Sequence, residues 1–383
     1  MQTITKQLTT SIPYQFSSDK SRNALFGKDG SKNDTSITNS DLLLFDIETT
    51  GFSPDVTSIY LIGCCYYQNQ SWQLIQWFAD DYISEEQMLR SFIDFTKDFK
   101  VLVHFNGLGF DIPYMQKKIV HYNIDFDFSS FLHIDLYKKV FPYKKILGLP
   151  NLKQKTIEQF LGLPRMDEFS GGELIEIYVN FMKHKFSHKE EMNEELHKLL
   201  LHNEEDVCNL ILLTSILSYC DLFEEKPNVS HTLYENGIIM ITFILRNGIA
   251  HAVCYEDDLI SLSVKDTVGQ LKVACLTGVL KYFYPNYKDY FYLTLEDTAI
   301  HKSVAEFVDK EYRVKAKAAN CYTKKNGVFI PQFHGRLEPA FREGYKTKES
   351  YLEVTEKLLE DKEMCSEYAE ILLQHVLRLS SKS

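Results

Sequence analysis

Residues 41–51 read DLLLFDIETTG, an apolar run that ends in two carboxylates, two threonines and a glycine. The run predicts a buried β-strand. Side chains on a strand alternate between its faces, so Asp46 and Glu48, two apart, project from the same one. Like charges held that close are neutralised by a cation or pushed towards protonation. A strand end turned into solvent explains a D-x-E pair equally well, and the spacing alone does not choose.

Outward from that strand, TSIYLIGCCYY (57–67) and SWQLIQWFA (71–79) are β-rich segments parted by Asn and Gln. Residues 85–98 carry Met88, Leu89, Phe92, Ile93 and Phe95 at helical spacing. VLVHFNG (101–107) reads as a buried strand followed by a helix over 110–121, and HIDLY (133–137) as a short strand. LKQKTIEQFLGL (152–163) is an amphipathic helix closed by Gly162 and Pro164, and residues 172–184 and 188–220 continue as helices. Strands first, then strand–helix alternation, give an α/β fold with an antiparallel meander. After Pro227 the texture changes: residues 233–333 are β-rich, with aromatic alternation in LKYFYP and DYFYLT, and a last helix is expected over 348–379. Residues 1–40, rich in Ser, Thr, Asn and Lys without periodicity, are expected to form a flexible arm. The expected domains are thus a mixed sheet flanked by helices over 41–225 and a smaller β-rich α+β region over 226–383.

At 383 residues, 44% hydrophobic and 25% charged, the chain is neither disordered, nor collagen-like, nor a disulfide-stapled miniprotein. Its eight cysteines lack Cys-x-x-Cys spacing and sit in apolar stretches such as IGCCYY, as buried reduced thiols do. No signal-peptide core opens the chain and no run nears 18 consecutive apolar residues, so a cytoplasmic protein without a membrane segment is expected. The net charge of −11 argues against coating nucleic acid by bulk attraction. It is unevenly spread: residues 1–226 hold 22 Lys and Arg against 32 Asp and Glu, and residues 227–383 hold 20 against 21. Residues 301–348 hold 11 basic and 5 acidic residues, among them Arg313, Lys315, Lys317 and Arg336, interleaved with Tyr312, Tyr322 and Phe329. Phosphates and unpaired bases suit such a stretch; a solvated basic face explains it as well.

Two further motifs join the first. In HFNGLGFDIPYM, Asn106 and Gly107 form a turn after a strand and Asp111 opens the next helix, where the helix dipole favours a carboxylate. In LLLHNEEDVCNL, His202 and Asp206 are four apart and share a helix face, while Glu204 and Glu205 are expected to point to solvent. Each has an ordinary structural explanation by itself. Together they supply four carboxylates, and hard oxygen donors without thiols suit magnesium or manganese. Four carboxylates can hold two such ions around a phosphodiester.

The set resembles the DEDD superfamily of 3′→5′ exonucleases on the ribonuclease H-like fold. Asp46 and Glu48 match its D-x-E motif, Asn106, Phe110 and Asp111 its N-x-x-x-(F/Y)-D motif, and Asp206 with His202 its third. The likeness spans residues 41–222 and is nearest to the ribonuclease H-like domain of YprB-type bacterial proteins, through DIETTG, the insertion NLKQKTIEQFLGLPRMDEFSGGELIEIY and the ending HNEEDV. It implies a two-metal-ion (Mg²⁺ or Mn²⁺) exonuclease acting on DNA or RNA at a single-stranded 3′ end. Asp46, Glu48 and Asp206 would hold the ion that activates water, and Asp46 with Asp111 the ion at the leaving oxygen. One departure stands out: His202 occupies the position of the tyrosine in Tyr-x-x-x-Asp, one residue closer to Asp206 than the branch with His and four intervening residues. His202 is then either the general base or a group that positions the phosphate. Asn106 touches a nucleotide or only forms its turn; Phe52 wedges against a terminal base or packs. Asp135 supplements the acidic site or caps a loop. The other reading of the same fold is a catalytically weak or inactive nucleic-acid-binding module; hydrolysis of short oligonucleotides is a third.

Overall fold

The computed structural model describes residues 1–16, 37–186, 188–333 and 337–381. Two compact units divide it: Met1–Asp221 with Ile249–His251, and Leu222–Gly248 with Ala252–Ser383. The first is built on a six-stranded sheet of β1 (Gln2–Leu8), β2 (Leu42–Thr49), β3 (Ile59–Gln68), β4 (Ser71–Phe78), β5 (Val101–His104) and β6 (Leu132–Asp135). The strand order is β1-β4-β3-β2-β5-β6. Its β1–β4–β3–β2 part is antiparallel and β2, β5 and β6 run parallel, the mixed α/β sheet expected for a ribonuclease H-like fold.

Residues 1–40 are not uniformly an arm. Gln2–Leu8 pairs along β4 in unbroken register as an edge strand, most of its side chains exposed. The rest of the expected arm, residues 17–36, lies outside the described residues.

Helices cover both faces of the sheet. On one, Leu43, Phe45 and Ile47 of β2 pack in a core with Met88 and Phe92 of α1 (Glu85–Thr96) and Met115 of α2 (Asp111–His121). Beyond β6 come α3 (Leu136–Val140) and α4 (Gln154–Phe160). On the other face, Leu174, Tyr178 and Phe181 of α5 (Gly171–His184) join Leu199 of α6 (Lys189–Leu213) over Tyr60 and Phe78. α6 runs on through a short 3-10 turn into α7 (Leu217–Glu224). An 18-residue window in this stretch is apolar enough to cross a membrane, yet 72% of it is buried in the protein, as a core helix is.

The second unit is β-rich. It comprises a three-stranded sheet of β7 (Asn228–Glu235), β8 (Ile238–Glu256) and β9 (Ile260–Ala274), and a second of β11 (Tyr290–Leu293), β12 (Thr298–His301) and β13 (Arg313–Lys315). Between them in sequence, β10 (Leu276–Phe283) closes a small barrel with β14 (Tyr322–Gln332), β15 (Phe341–Arg342) and β16 (Ser350–Glu353). The terminal helix is shorter than its apolar spacing suggests. Residues 350–353 pair with β14, and the main helix, α8, spans Lys362–Ser380 with Asp361 accepting from the backbone amides of Glu363 and Met364.

Candidate active site

β2 exposes its two carboxylates on the α6 side of the sheet because its other face is apolar core. Asp46 lies opposite Gly63 of β3 and Glu48 opposite Leu61, and the register slips just after Glu48. Gly63 is what lets α6 approach: a Cβ there would stand 2.0 Å from Asn203 Oδ1 and 3.1 Å from Val207 Cγ2. Asn203, fully buried, donates from Nδ2 to Asp46 Oδ2 at 3.3 Å. Its orientation is fixed from behind, where Gln76 Nε2 donates to Asn203 Oδ1 at 2.9 Å and to the Leu200 carbonyl at 3.0 Å.

Asp111 arrives from the loop between β5 and α2 and accepts the Ile47 amide at 3.3 Å. That loop is shaped by a left-handed Asn106 (φ 60°) and by Gly107, where a Cβ would come within 2.5 Å of the His104 ring. Asp135 holds the loop down, accepting from the amides of Asn106 (2.9 Å) and Leu108 (3.1 Å) and from Lys138 at the start of α3 (3.3 Å). Asp135 is thus a loop-capping carboxylate. The adjacent His104 is buried, and burial, with the positive potential of His133 and Lys138, pushes it down to about 3, so it is neutral.

α6 completes the cluster. His202 Nε2 lies 3.1 Å from Asp206 Oδ2 and 3.6 Å from Glu48 Oε1, while its Nδ1 lies 2.7 Å from Asp167 Oδ2. Asp167 belongs to the loop after α4, as does Arg165. The guanidinium of Arg165 reaches Asp206 Oδ1 at 2.5 Å, Glu158 Oε2 at 3.1 Å and Asp167 Oδ2 at 3.1 Å. Lys155 adds a third contact to Asp167 at 3.0 Å. Glu205 fastens the loop to α6 by accepting the Met166 and Asp167 amides, each at 2.8 Å. Glu205 is therefore not a solvent-facing carboxylate, and Glu204 pairs with Lys6 of β1.

The electrostatics divide the site in two. Among the described residues no lysine or arginine is within ion-pair distance of Asp46 or Asp111. Burial, then repulsion from Asp111, Glu48 and Asp206, drives Asp46 well above the usual carboxylate range. Burial, opposed by backbone hydrogen bonds, leaves Asp111 pushed up to about 7. Burial raises Glu48 to about 8 although His202 pulls it down. On the opposite side, burial would also raise Asp206, but the His202 hydrogen bond and charge and the Arg165 guanidinium outweigh it and hold Asp206 below its ordinary value. His202 itself, despite burial, is raised to about 9 by Asp206, Glu48 and Asp167. Three carboxylates are thus shifted towards protonation, and the fourth is held ionised by His202 and Arg165.

The donor set fits divalent cations. The Asp46 and Asp111 side offers hard oxygens that, among the described residues, no lysine or arginine pairs with, and Glu48, His202 and Asp206 present ligand atoms within 4.8 Å of one another. Asp206 is engaged in this conformation on both oxygens, by Arg165 and by His202.

All five residues expected to do chemistry converge here. Phe52 is not core packing: it is 86% exposed, its ring edge against Phe110 at 6.2 Å. Asn106 is exposed, and its turn is real. Arg313, Lys315 and Lys317 lie in the second unit. Arg313 stacks over Phe291 at 5.2 Å and donates to the Ala305 carbonyl, while Lys315 and Lys317 are exposed. Arg336 lies outside the described residues. Arg165, Asp167, Asn203 and Gln76 were not expected at the site: each lies in a quoted stretch, but no spacing or motif singles any of them out.

Residues 43–218 match the family model described as the RNase_H superfamily, so this part of the chain is a ribonuclease H-like domain. DNA polymerase 1 of Sulfurisphaera ohwakuensis is 28% identical over 124 aligned positions, covering 24% of this chain and 14% of the polymerase. Among solved structures, the family B DNA polymerase of Pyrobaculum calidifontis is similar at a TM-score of 0.33 and 14% identity, over 67% of this chain and 36% of that one. Exonuclease I of E. coli in complex with a dA16 oligonucleotide is similar at 0.26 and 13%, over 42% and 44%. The chain spans less than half the length of each of these proteins.

Proposed function

We propose that the ribonuclease H-like domain is a metal-dependent nuclease that removes nucleotides in the 3′→5′ direction by hydrolysing the terminal phosphodiester. The observation that carries this is the trio Asp46, Glu48 and Asp111: three buried carboxylates from two elements, left without a basic partner strong enough to keep them ionised. A fold keeps such a destabilising cluster where it binds cations. In this reading Asp46, Glu48, Asp111 and Asp206 hold two Mg²⁺ or Mn²⁺ ions. Such ions, when bound, neutralise phosphate charge and make a water more acidic.

The chain's own groups do the rest. Asn203 keeps its donor on Asp46 and so fixes that carboxylate's rotamer. Asp167 holds the Nδ1 side of His202, which leaves Nε2 facing the carboxylates. In the metal-free protein His202 keeps its proton because Asp206, Glu48 and Asp167 surround it. With the charges of Glu48 and Asp206 committed to cations, that bias would weaken and the imidazole would be able to accept a proton nearer neutral pH, Asp167 still holding its Nδ1 side.

A second reading, a nucleic-acid-binding module without turnover, draws on Arg165 and His202 holding both oxygens of Asp206. The test separates the two. Single strands of DNA and RNA labelled at the 3′ or the 5′ end are incubated with the protein and Mn²⁺ or Mg²⁺, with Asp46→Ala as the control for contaminating nuclease. Stepwise shortening of 5′-labelled strands that needs both metal and Asp46 is expected. Binding without Asp46-dependent cleavage would leave the module reading.

A further inference from the structure

The first unit is acidic on average, yet residues 136–157, LYKKVFPYKKILGLPNLKQKTI, hold six lysines and no aspartate or glutamate. The fold anchors both ends of this stretch to the candidate active site. At its start, Asp135 carries the amides of Asn106 and Leu108 in the loop that delivers Asp111. Near its end, Gln154 Nε2 donates to the Asp206 carbonyl at 2.9 Å.

Between the two anchors lies an open pocket of about 610 Å³ whose wall includes Phe105, Asn106, Tyr137, Phe141, Lys144 and Lys153. Three aromatic rings follow one another along it: Phe105 to Tyr137 at 6.0 Å and Tyr137 to Phe141 at 6.2 Å. Phe141 is 60% exposed, a large apolar face that the protein itself does not cover. Among the described residues neither Lys144 nor Lys153 has an acidic partner within ion-pair distance. An exposed ring and two lysines without an acidic partner among the described residues, on the wall of one pocket, match one ligand chemistry, a planar base joined to phosphates. A duplex keeps its bases stacked on each other and offers no free face to these rings. The size is that of a small-molecule site.

We propose that this pocket holds an unpaired nucleotide of a single strand, its base against Tyr137 and Phe141 and its phosphates on Lys144 and Lys153. That the strand is also the one cleaved rests on the nuclease reading above. The site differs from the basic stretch in the second unit, where Arg313 is already engaged by a carbonyl and a ring.

Binding is measured without metal, by fluorescence anisotropy of 5′-labelled 12-nucleotide DNA and RNA single strands in EDTA. Cleavage of the same strands is followed separately with Mn²⁺. The triple variant Phe141→Ala, Lys144→Gln, Lys153→Gln is expected to bind at least tenfold more weakly. Its log affinity should fall less steeply with log salt, by about 1.4, from two lost phosphate contacts at roughly 0.7 each. The charge control Lys97→Gln, Lys189→Gln, on exposed lysines elsewhere in the same unit, should bind as wild type does. Phe141→Trp, which keeps a stacking face, should retain affinity that Phe141→Ala loses. Equal affinity of the triple variant and wild type overturns the proposal, as does equal competition by a blunt duplex. Loss of affinity in the triple variant together with no cleavage by wild type would sustain the pocket and sink the nuclease reading. Cleavage by wild type with undiminished binding by the triple variant would do the reverse.

Discussion

Replacing Glu48 by glutamine should make the metal-free protein more stable while abolishing hydrolysis. Glu48 is 9% exposed and titrates at about 8, against 4.5 for an ordinary glutamate, with burial as the largest cause. A carboxyl whose folded pKa is raised holds its proton in the folded state after the unfolded chain has released it. Its stabilising contribution is whole below about 4.5 and is lost as pH rises through about 8. At ~1.4 kcal/mol per pH unit, the loss reaches about 2 kcal/mol at pH 6 and about 5 kcal/mol above pH 8.5, as an upper bound. Glutamine has the shape without the titration, so it avoids that loss. It also removes an anion that favours protonated His202, which trims the gain. The expected result is a variant whose advantage over wild type stays under about 1 kcal/mol at pH 5 and is at least about 1 kcal/mol larger at pH 8.5 in EDTA. Urea unfolding followed by tryptophan fluorescence is the assay, because the chain's two tryptophans, Trp72 and Trp77, are both buried in β4 and so report the first unit. A difference that stays constant between pH 5 and 8.5, or a variant less stable than wild type at the upper end, would refute the reasoning.

Arg165→Gln should do the opposite, since it leaves Asp206, Asp167 and Glu158 facing one another; about 3–5 kcal/mol of stability should go in EDTA, and Mn²⁺ should restore much of it in urea titrations. Asp167→Asn should lower kcat about 10–100-fold with KM within about twofold, and should move the His202 limb of the pH–rate profile to lower pH by removing a neighbouring anion. A Michaelis–Menten series across pH checks this, and a rise in KM alone would show that Asp167 serves binding instead. Gly63→Ala should destabilise by about 1–3 kcal/mol and depress activity, because the new Cβ meets Asn203 and forces α6 away from β3; an unchanged urea midpoint would contradict it.

The chemistry of the fold was legible where short-range pattern and function coincide. Asp46 and Glu48 stand at the end of an apolar run, Asp111 follows a turn that only a left-handed residue completes, and His202 and Asp206 share a helix face. Each can be read within a dozen residues. Asp167 could not, because its partner His202 lies 35 residues further on and the intervening insertion carries no periodicity that predicts where its loop returns. Glu205 looked solvent-facing on a helical wheel because a wheel knows nothing of the loop that covers it. β1 escaped notice because QTITKQL is an edge strand, mostly exposed and therefore nearly free of the apolar alternation that marks a buried one. Charge averaging hides local patterns in a similar way. Counting by halves draws attention to residues 301–348, whereas residues 136–157, with six lysines and no acidic residue, are concealed in the half with the larger acidic excess.

The two sides of the carboxylate cluster answer the same problem by different means, and that difference bears on what can bind. Burial and mutual repulsion shift the Asp46, Glu48 and Asp111 side towards protonation, and a proton is a partner that a divalent cation can replace without repacking. Arg165 and His202 neutralise Asp206, and releasing Arg165 means breaking contacts to Glu158 and Asp167 as well. Under the proposed reading, a single divalent ion would therefore find its least obstructed ligands at Asp46 and Asp111, held in place by Asn203 and the Ile47 amide. A second ion that uses Asp206 must compete with a guanidinium pinned by two other carboxylates. Since Gln154 and Glu205 tie the Arg165 loop and α4 to α6, that competition is settled by the conformation of the insertion. The start of the same insertion, Asn151 to Gln154, lines the proposed nucleotide pocket, so a strand seated there would bear directly on the loop that controls Asp206.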